Sequence, residues 1–404
     1  MDILSQIRQK PLYVLFVVFA AAIVLGVFFY STQGRYAEAQ ALSQADYTFE
    51  EYQDYLEMLA EEKGGAYAFE VMRRTQFKEH TDLHLLGHVV GDVLFKQEGI
   101  DGIHICDQDF RNACSHSIVV GLFFEQGVDA LSVIAEACRE APGGSGAYTM
   151  CFHGLGHGIL AYSLYDIEQT VALCKKVGTA AYHDREYAEC VGGAVMELLD
   201  GWHDRTQWER VYDTYVDEQD PLALCLSDTF PDEVKDMCVL YATPLIFKAS
   251  GVSQRTPESE SLANAFSLCE RLGSTWSPLH YACYGGVGKE FVGFVSGRDT
   301  QHVGSLPDSK LVTMREWCSL AGTIEGEAAC NSQVLASLFW GGENEPDASF
   351  AYCTLAPEGS RAWADCYEQL RHDITYYLSE TPKGLKLCTQ LPEQFRAGCG
   401  SAAP

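Results

Sequence analysis

The segment CFHGLGHGILAY, Cys151 to Tyr162, sets two histidines four positions apart among three glycines, directly behind a cysteine. Spacing of four puts His153 and His157 on one face of a helix, about 5 to 6 Å apart at Cβ, which suits two imidazoles sharing one metal ion. Each helix-interior glycine costs about 0.5 to 1 kcal/mol relative to alanine, so Gly154, Gly156 and Gly158 need a compensating role. A neighbouring helix packing closely would supply one, and a ligand approaching the backbone another. Gly192, Gly193, Gly285, Gly286 and Gly288 recur in similar segments without histidines, so close helix contact explains many of them.

Those similar segments decide the fold. Behind Cys114, Cys190, Cys238, Cys283, Cys330 and Cys366 the chain reads CSHSIVVGLFF, CVGGAVMELLD, CVLYATPLIFK, CYGGVGKEFVG, CNSQVLASLFW and CYEQLRHDITY. Each follows a shorter segment that ends on the preceding cysteine, such as DALSVIAEAC, AFSLC or MREWC. The unit is helix, cysteine, loop, cysteine, helix, recurring at about 35 to 50 residues, the period of helical-hairpin arrays. Sustained period-two alternation is scarce, so strands are not expected. Taken in order, the sixteen cysteines form eight neighbour pairs: Cys106 with Cys114, Cys138 with Cys151, Cys174 with Cys190, Cys225 with Cys238, Cys269 with Cys283, Cys318 with Cys330, Cys353 with Cys366, and Cys388 with Cys399. Spacing does not fix connectivity, but an even count suits a disulfide framework, and neighbour pairing is its simplest form. Unstrained loops this short contribute on the order of 3 kcal/mol each. No C-x-x-C occurs, which removes zinc-ribbon, thioredoxin-type and covalent-haem signatures.

One more segment, DLHLLGHVVGDVLF from Asp82, fits the register with Asp82 in the cysteine column, so His84 and His88 fall on His153 and His157. His116 falls on the column of His84 and His153. Three successive helices therefore offer five histidines at equivalent positions near their N-terminal ends, and in a stacked array equivalent positions line one surface. His80 and Asp92 extend the stripe on the first helix. Later repeats replace the two columns by Gly192, Leu240, Gly285, Ser332 and Glu368, and by Met196, Pro244, Lys289, Ala336 and His372. Histidines that served only packing would recur throughout. Imidazole suits zinc, copper or iron; bis-histidine ligation of non-covalent haem is less favoured, because it needs an apolar slot. Anion binding, acid–base work on a phosphoester, a pH sensor and a purely structural cluster are the other readings of these residues.

Residues Leu12 to Tyr30 form an uncharged apolar run of 19, close to the roughly 20 that span a bilayer core. Arg8 and Lys10 precede it and an acidic stretch follows, which places the N-terminus in the cytoplasm and the bulk of the chain outside, periplasmic or at the cell surface. The run is longer than a usual signal peptide core and lacks a small-x-small cleavage site, favouring an uncleaved anchor. Beyond the anchor, 26 basic residues face 55 acidic ones, a surface that repels nucleic acid. Nucleophile-elbow, P-loop, dinucleotide and H-E-x-x-H motifs are all missing.

The expected protein is all-α: a single N-terminal transmembrane helix, then a disulfide-pinned helical-hairpin repeat array resembling an α-solenoid. Residues 1–11 form a cytoplasmic N-terminus, 12–30 a signal anchor in the lipid bilayer, 31–78 a stalk and first hairpin, 79–166 the histidine-rich repeats, and 167–404 the remaining repeats and a C-terminal cap. Thr48 and Glu51 have capping-box spacing at the start of that first hairpin. The expected function is metal handling or metal-dependent chemistry at His84, His88, His116, His153 and His157, with the flanking cysteines holding the site. The alternative is an extracytoplasmic scaffold that binds a protein or peptide on its repeat surface, for which GWHDRTQWER, Gly201 to Arg210, is a candidate loop. Nothing in the sequence decides whether the protein is an enzyme.

Overall fold

The computed structural model describes residue 19 and residues 33–341 and 345–400. The apolar run at 12–30 lies outside these apart from Phe19. Among the described residues every regular element is helical. In chain order the α-helices are α1 (33–44), α2 (Phe49–Lys63), α3 (Gly65–Met72), α4 (Leu83–Glu98), α5 (Asp109–Gln126), α6 (Leu131–Glu140), α7 (Gly144–Tyr162), α8 (Ile167–Cys174), α9 (Arg185–Asp200), α10 (Arg205–Tyr215), α11 (Ala223–Leu226), α12 (Lys235–Tyr241), α13 (Thr243–Ser250), α14 (Ser259–Cys269), α15 (Pro278–Ser296), α16 (Asp308–Cys318), α17 (Ile324–Gly341), α18 (Asp347–Thr354), α19 (Arg361–Leu378) and α20 (Pro382–Cys388).

All eight neighbour disulfides are present. In most units the first cysteine lies in the last turns of a helix, as Cys174, Cys269 and Cys318 do, and the second sits inside the helix that follows, whereas Cys399 of the last unit lies in a turn. That corrects one expectation. Because α7 starts at Gly144, well before Cys151, His153 and His157 are mid-helix rather than near its N-terminus, whereas His116 lies in the first turn after the left-handed kink at Phe110, Arg111 and Asn112 in α5, as expected. The disulfide ties a helix end to the flank of its neighbour, so the cysteine marks no boundary. His84 and His88 do lie in the first turns of α4, behind the N-cap Asp82. The first hairpin is as expected: Thr48 and Glu51 close a capping box on α2, and Gly64 joins α2 to α3.

The helices that carry the second cysteines, led by α4, pack side by side in the order α4, α5, α7, α9, α12, α15, α17, α19. The Pro244 column interrupts one of them, splitting α12 from α13. Glycines set the spacing. A Cβ on Gly154 would lie 2.6 Å from the Cα of His116, and one on Gly193 would lie 1.9 Å from the carbonyl oxygen of His153. These helix backbones touch, which is the role the glycines were expected to fill.

The array also coils back on itself. The N–H of His80, ahead of α4, donates to Gly297 O just past α15 (2.7 Å), and Arg298 pairs with Asp82 (3.2 Å). Arg111 in α5 stacks on Trp340 near the end of α17, and Ser145 in α7 donates to Tyr376 O in α19. Each late helix thus abuts, at its C-terminal end, the N-terminal end of the helix five units earlier. One superhelical turn therefore takes about five hairpins, and the first three inner helices are covered by the last three. The stretch Phe110–Glu140 is apolar and long enough to cross a membrane, but half of its most apolar window is buried and α5 packs between α4 and α7, as a core helix does.

Candidate metal centre

The stripe on α4 faces α5, and α5 faces α7, so five imidazoles meet inside the array. Ring centroids lie 4.7 Å apart for His84 and His88, 5.6 Å for His84 and His116, and 5.7 Å for His88 and His116. His153 and His157 follow at 5.7 and 6.1 Å from His116. Two imidazoles bound to one ion at tetrahedral angles place their centroids about 5 Å apart, given metal–nitrogen bonds of about 2.0 to 2.1 Å. His88, His116, His153 and His157 are all more than nine-tenths buried.

Hydrogen bonds fix two of the tautomers. His84 Nδ1 is 2.7 Å from the carbonyl oxygen of Phe110, which only accepts, so Nδ1 carries the proton. His88 Nδ1 is 3.1 Å from Ser117 Oγ, and that hydroxyl donates its own proton to His88 O, so here too Nδ1 is the donor. Both Nε2 atoms are then bare lone pairs, and they face each other at 3.2 Å. His116, 1% exposed, has no hydrogen-bond partner in the protein on either nitrogen. One ligand atom from each of His84, His88 and His116 falls within a 4.8 Å set. The carbonyl that orients His84 sits on a left-handed turn, with φ of 56°, 57° and 64° at Phe110, Arg111 and Asn112. Such strain in non-glycine residues costs about 1 to 3 kcal/mol each and persists where the surroundings over-determine it.

His157 joins a second group that the column alignment did not contain. The Glu197 side chain is fully buried in α9; its Oε2 lies 3.3 Å from His157 Nδ1 and 2.7 Å from His203 Nδ1. Its Oε1 accepts from the Tyr165 hydroxyl (2.7 Å) and the His203 backbone N–H (3.0 Å). His203 sits in the turn after α9, within the candidate loop 201–210, where left-handed Gly201 reverses the chain. A glutamate in the apolar run AVMELLD, followed by a histidine, was the signal available in the sequence. His153 turns toward α9, with Nε2 3.2 Å from Met196 Sδ and Nδ1 3.5 Å from Glu189.

His80 does not join the cluster. Asp82 starts the helix, so His80 precedes it at an exposed left-handed position. Asp92 is exposed on α4, yet the protein around it strips enough hydration to raise its pKa.

Burial, and then the neighbouring imidazoles, hold His88 and His116 well below the ordinary histidine range. Burial also brings His157 down to about 4, against the Glu197 hydrogen bond. For His203 burial acts downward as well, but Glu197 wins and raises it. Glu197 in turn is held below the carboxylate range by both histidines, although burial opposes this. The sign of the pH dependence follows. Between pH about 6.5 and 4 the unfolded chain protonates histidines that the folded chain keeps neutral, so metal-free stability falls on acidification, by about 3 kcal/mol for His157 alone. His203 works in the opposite direction, contributing below its unfolded pKa and losing that contribution as pH rises through its folded one. The buried neutral set outnumbers it, so the melting temperature of the metal-free protein should drop from pH 7.5 to pH 5. A flat or rising profile would show that the imidazoles are not held neutral.

Fold and site together define a disulfide-pinned helical-repeat protein with a largely buried polyhistidine cluster between its first repeats. Comparison with known protein families, curated proteins and solved structures gives no match.

Proposed function

We propose that this is a membrane-anchored, extracytoplasmic metal-binding protein, holding a transition-metal ion at His84, His88 and His116, with His153 and His157 beside it. One observation carries the reading: two Nε2 lone pairs fixed face to face at 3.2 Å. Without a cation the pair repels. With one, 3.2 Å matches a ligand-to-ligand edge, since bonds of about 2.0 to 2.1 Å at tetrahedral angles give an edge of about 3.3 Å. The Nδ1 protons held by a carbonyl and a hydroxyl are the outer contacts that metal-ligating histidines ordinarily make.

Zinc, copper or iron fits an imidazole donor set. Every cysteine is in a disulfide, so no thiolate competes for the ion. Haem fits less well, because a porphyrin between these rings would have to part helices already in backbone contact at Gly154. The disulfides and the apolar run at 12–30 support an anchored protein facing an oxidising compartment. The test is elemental analysis of the full oxidised chain in detergent beside a His84→Ala/His88→Ala variant. A transition metal present in the first and reduced by one equivalent in a still-helical second is the expected result. A wild-type chain that carries no metal and takes up no zinc, copper or iron on titration would end the proposal.

A further inference from the structure

The cluster holds more donors than one ion uses. Zinc takes four ligands, three from the protein where a position stays open. Here His84, His88 and His116 make one set of three, and His157, Glu197 and His203 make another whose ligand atoms also fall within 4.8 Å of one another. We propose that His157, Glu197 and His203 bind a second divalent transition-metal ion, so that the cluster is a two-ion centre; this rests on the reading of the first triad as a metal site.

The second triad has the features of a built site. Oε1 of Glu197 is occupied by two donors, the Tyr165 hydroxyl and the His203 backbone N–H. These fix the carboxylate plane and leave Oε2 as the free arm. That arm meets both Nδ1 atoms at 2.7 and 3.3 Å, the range of ligand-to-ligand edges around an ion whose bonds are about 2.0 to 2.2 Å long. In the metal-free chain protons on the two nitrogens fill those edges, and an ion displaces them. A carboxylate with no exposed surface needs a counter-charge nearby, and a divalent cation between two neutral imidazoles provides it.

The two sites share a wall. The His88 ring lies 6.5 Å from that of His157 and 6.3 Å from that of His203, while His116 stands 6.1 Å from His157. They also differ in charge: the first donor set is neutral, the second carries one negative charge. The second therefore favours borderline divalent ions such as zinc or ferrous iron over cuprous copper, whose preference is for soft donors. His203 is partly exposed, which gives the second ion a route in from solvent.

Zinc titration of the metal-depleted full chain in detergent, read by native mass spectrometry and elemental analysis, tests this. Two zinc ions per chain are expected. Glu197→Gln should retain one, and His84→Ala/His88→Ala should retain the other. A wild-type chain that binds one ion, lost with His84 and His88 but unchanged in Glu197→Gln, overturns the second site and leaves the first. One ion lost only in Glu197→Gln overturns the first and leaves the second, and no zinc at all overturns both. If circular dichroism shows Glu197→Gln unfolded, His203→Asn takes its place, since that side chain lies in a turn; retention of both ions there overturns the proposal.

Discussion

Replacing Gly193 by alanine is expected to lower stability by about 3 kcal/mol, the upper end for overpacking, and to disturb the histidine cluster. The added Cβ would lie 1.9 Å from the carbonyl oxygen of His153, and backbone cannot rotate away as a side chain can. The only relief is for α9 to move off α7. That motion separates Glu189, Met196 and Glu197 from His153 and His157, so loss of the second ion should accompany the loss of stability. The natural control is Gly293 in α15, where a Cβ meets nothing within 4 Å. There alanine should gain about 0.5 to 1 kcal/mol from helix propensity. Thermal melts of both variants decide the matter: equal melting temperatures would mean that the α7–α9 joint is looser than its geometry implies.

The repeat, the disulfides and the histidine columns were legible because they depend on local spacing. Aligning second cysteines found the inner helices, and Asp82 in the cysteine column found the one that lacks a disulfide, since Asp82 caps α4 where other units have a bridge. What alignment could not supply was anything set by accumulated rotation. The five-unit closure that puts Gly297 against His80 follows from small angles between successive hairpins, and no residue announces it. Helix starts were misjudged for a related reason: a cysteine inside a helix looks like a cysteine before one.

The missed part of the site has the same origin. Glu197 sits one position past Met196, which holds the second histidine column in α9, and His203 lies beyond the helix altogether. Column reading follows one stripe per helix. A donor supplied by the next repeat, swung over by the left-handed Gly201, belongs to no stripe. The coil also closes over the histidine-bearing stretch. The N-terminal ends of α4, α5 and α7 are covered by later helices, and His88, His116, His153 and His157 between them are buried.

His116→Leu should make the metal-free protein more stable and the metal-loaded protein less so. His116 is 1% exposed, and neither ring nitrogen has a partner in the protein. A buried polar group left without its hydrogen bond costs about 1 to 3 kcal/mol, and an apolar side chain of similar size removes that cost. Leucine should therefore raise the metal-free melting temperature by several degrees. Loading reverses the order. An ion that binds only the folded state stabilises it by about 4 kcal/mol at a thousand times its dissociation constant, and a chain that lacks one of three ligands forfeits most of this. Melting curves of both proteins with and without saturating zinc should cross. Parallel curves would remove His116 from the ligand set, and a leucine variant less stable without metal would show that the imidazole is satisfied by some other means. A residue that costs the fold stability and recovers it only with a cation in place is retained for the cation, and His116 is where this chain puts that bargain to measurement.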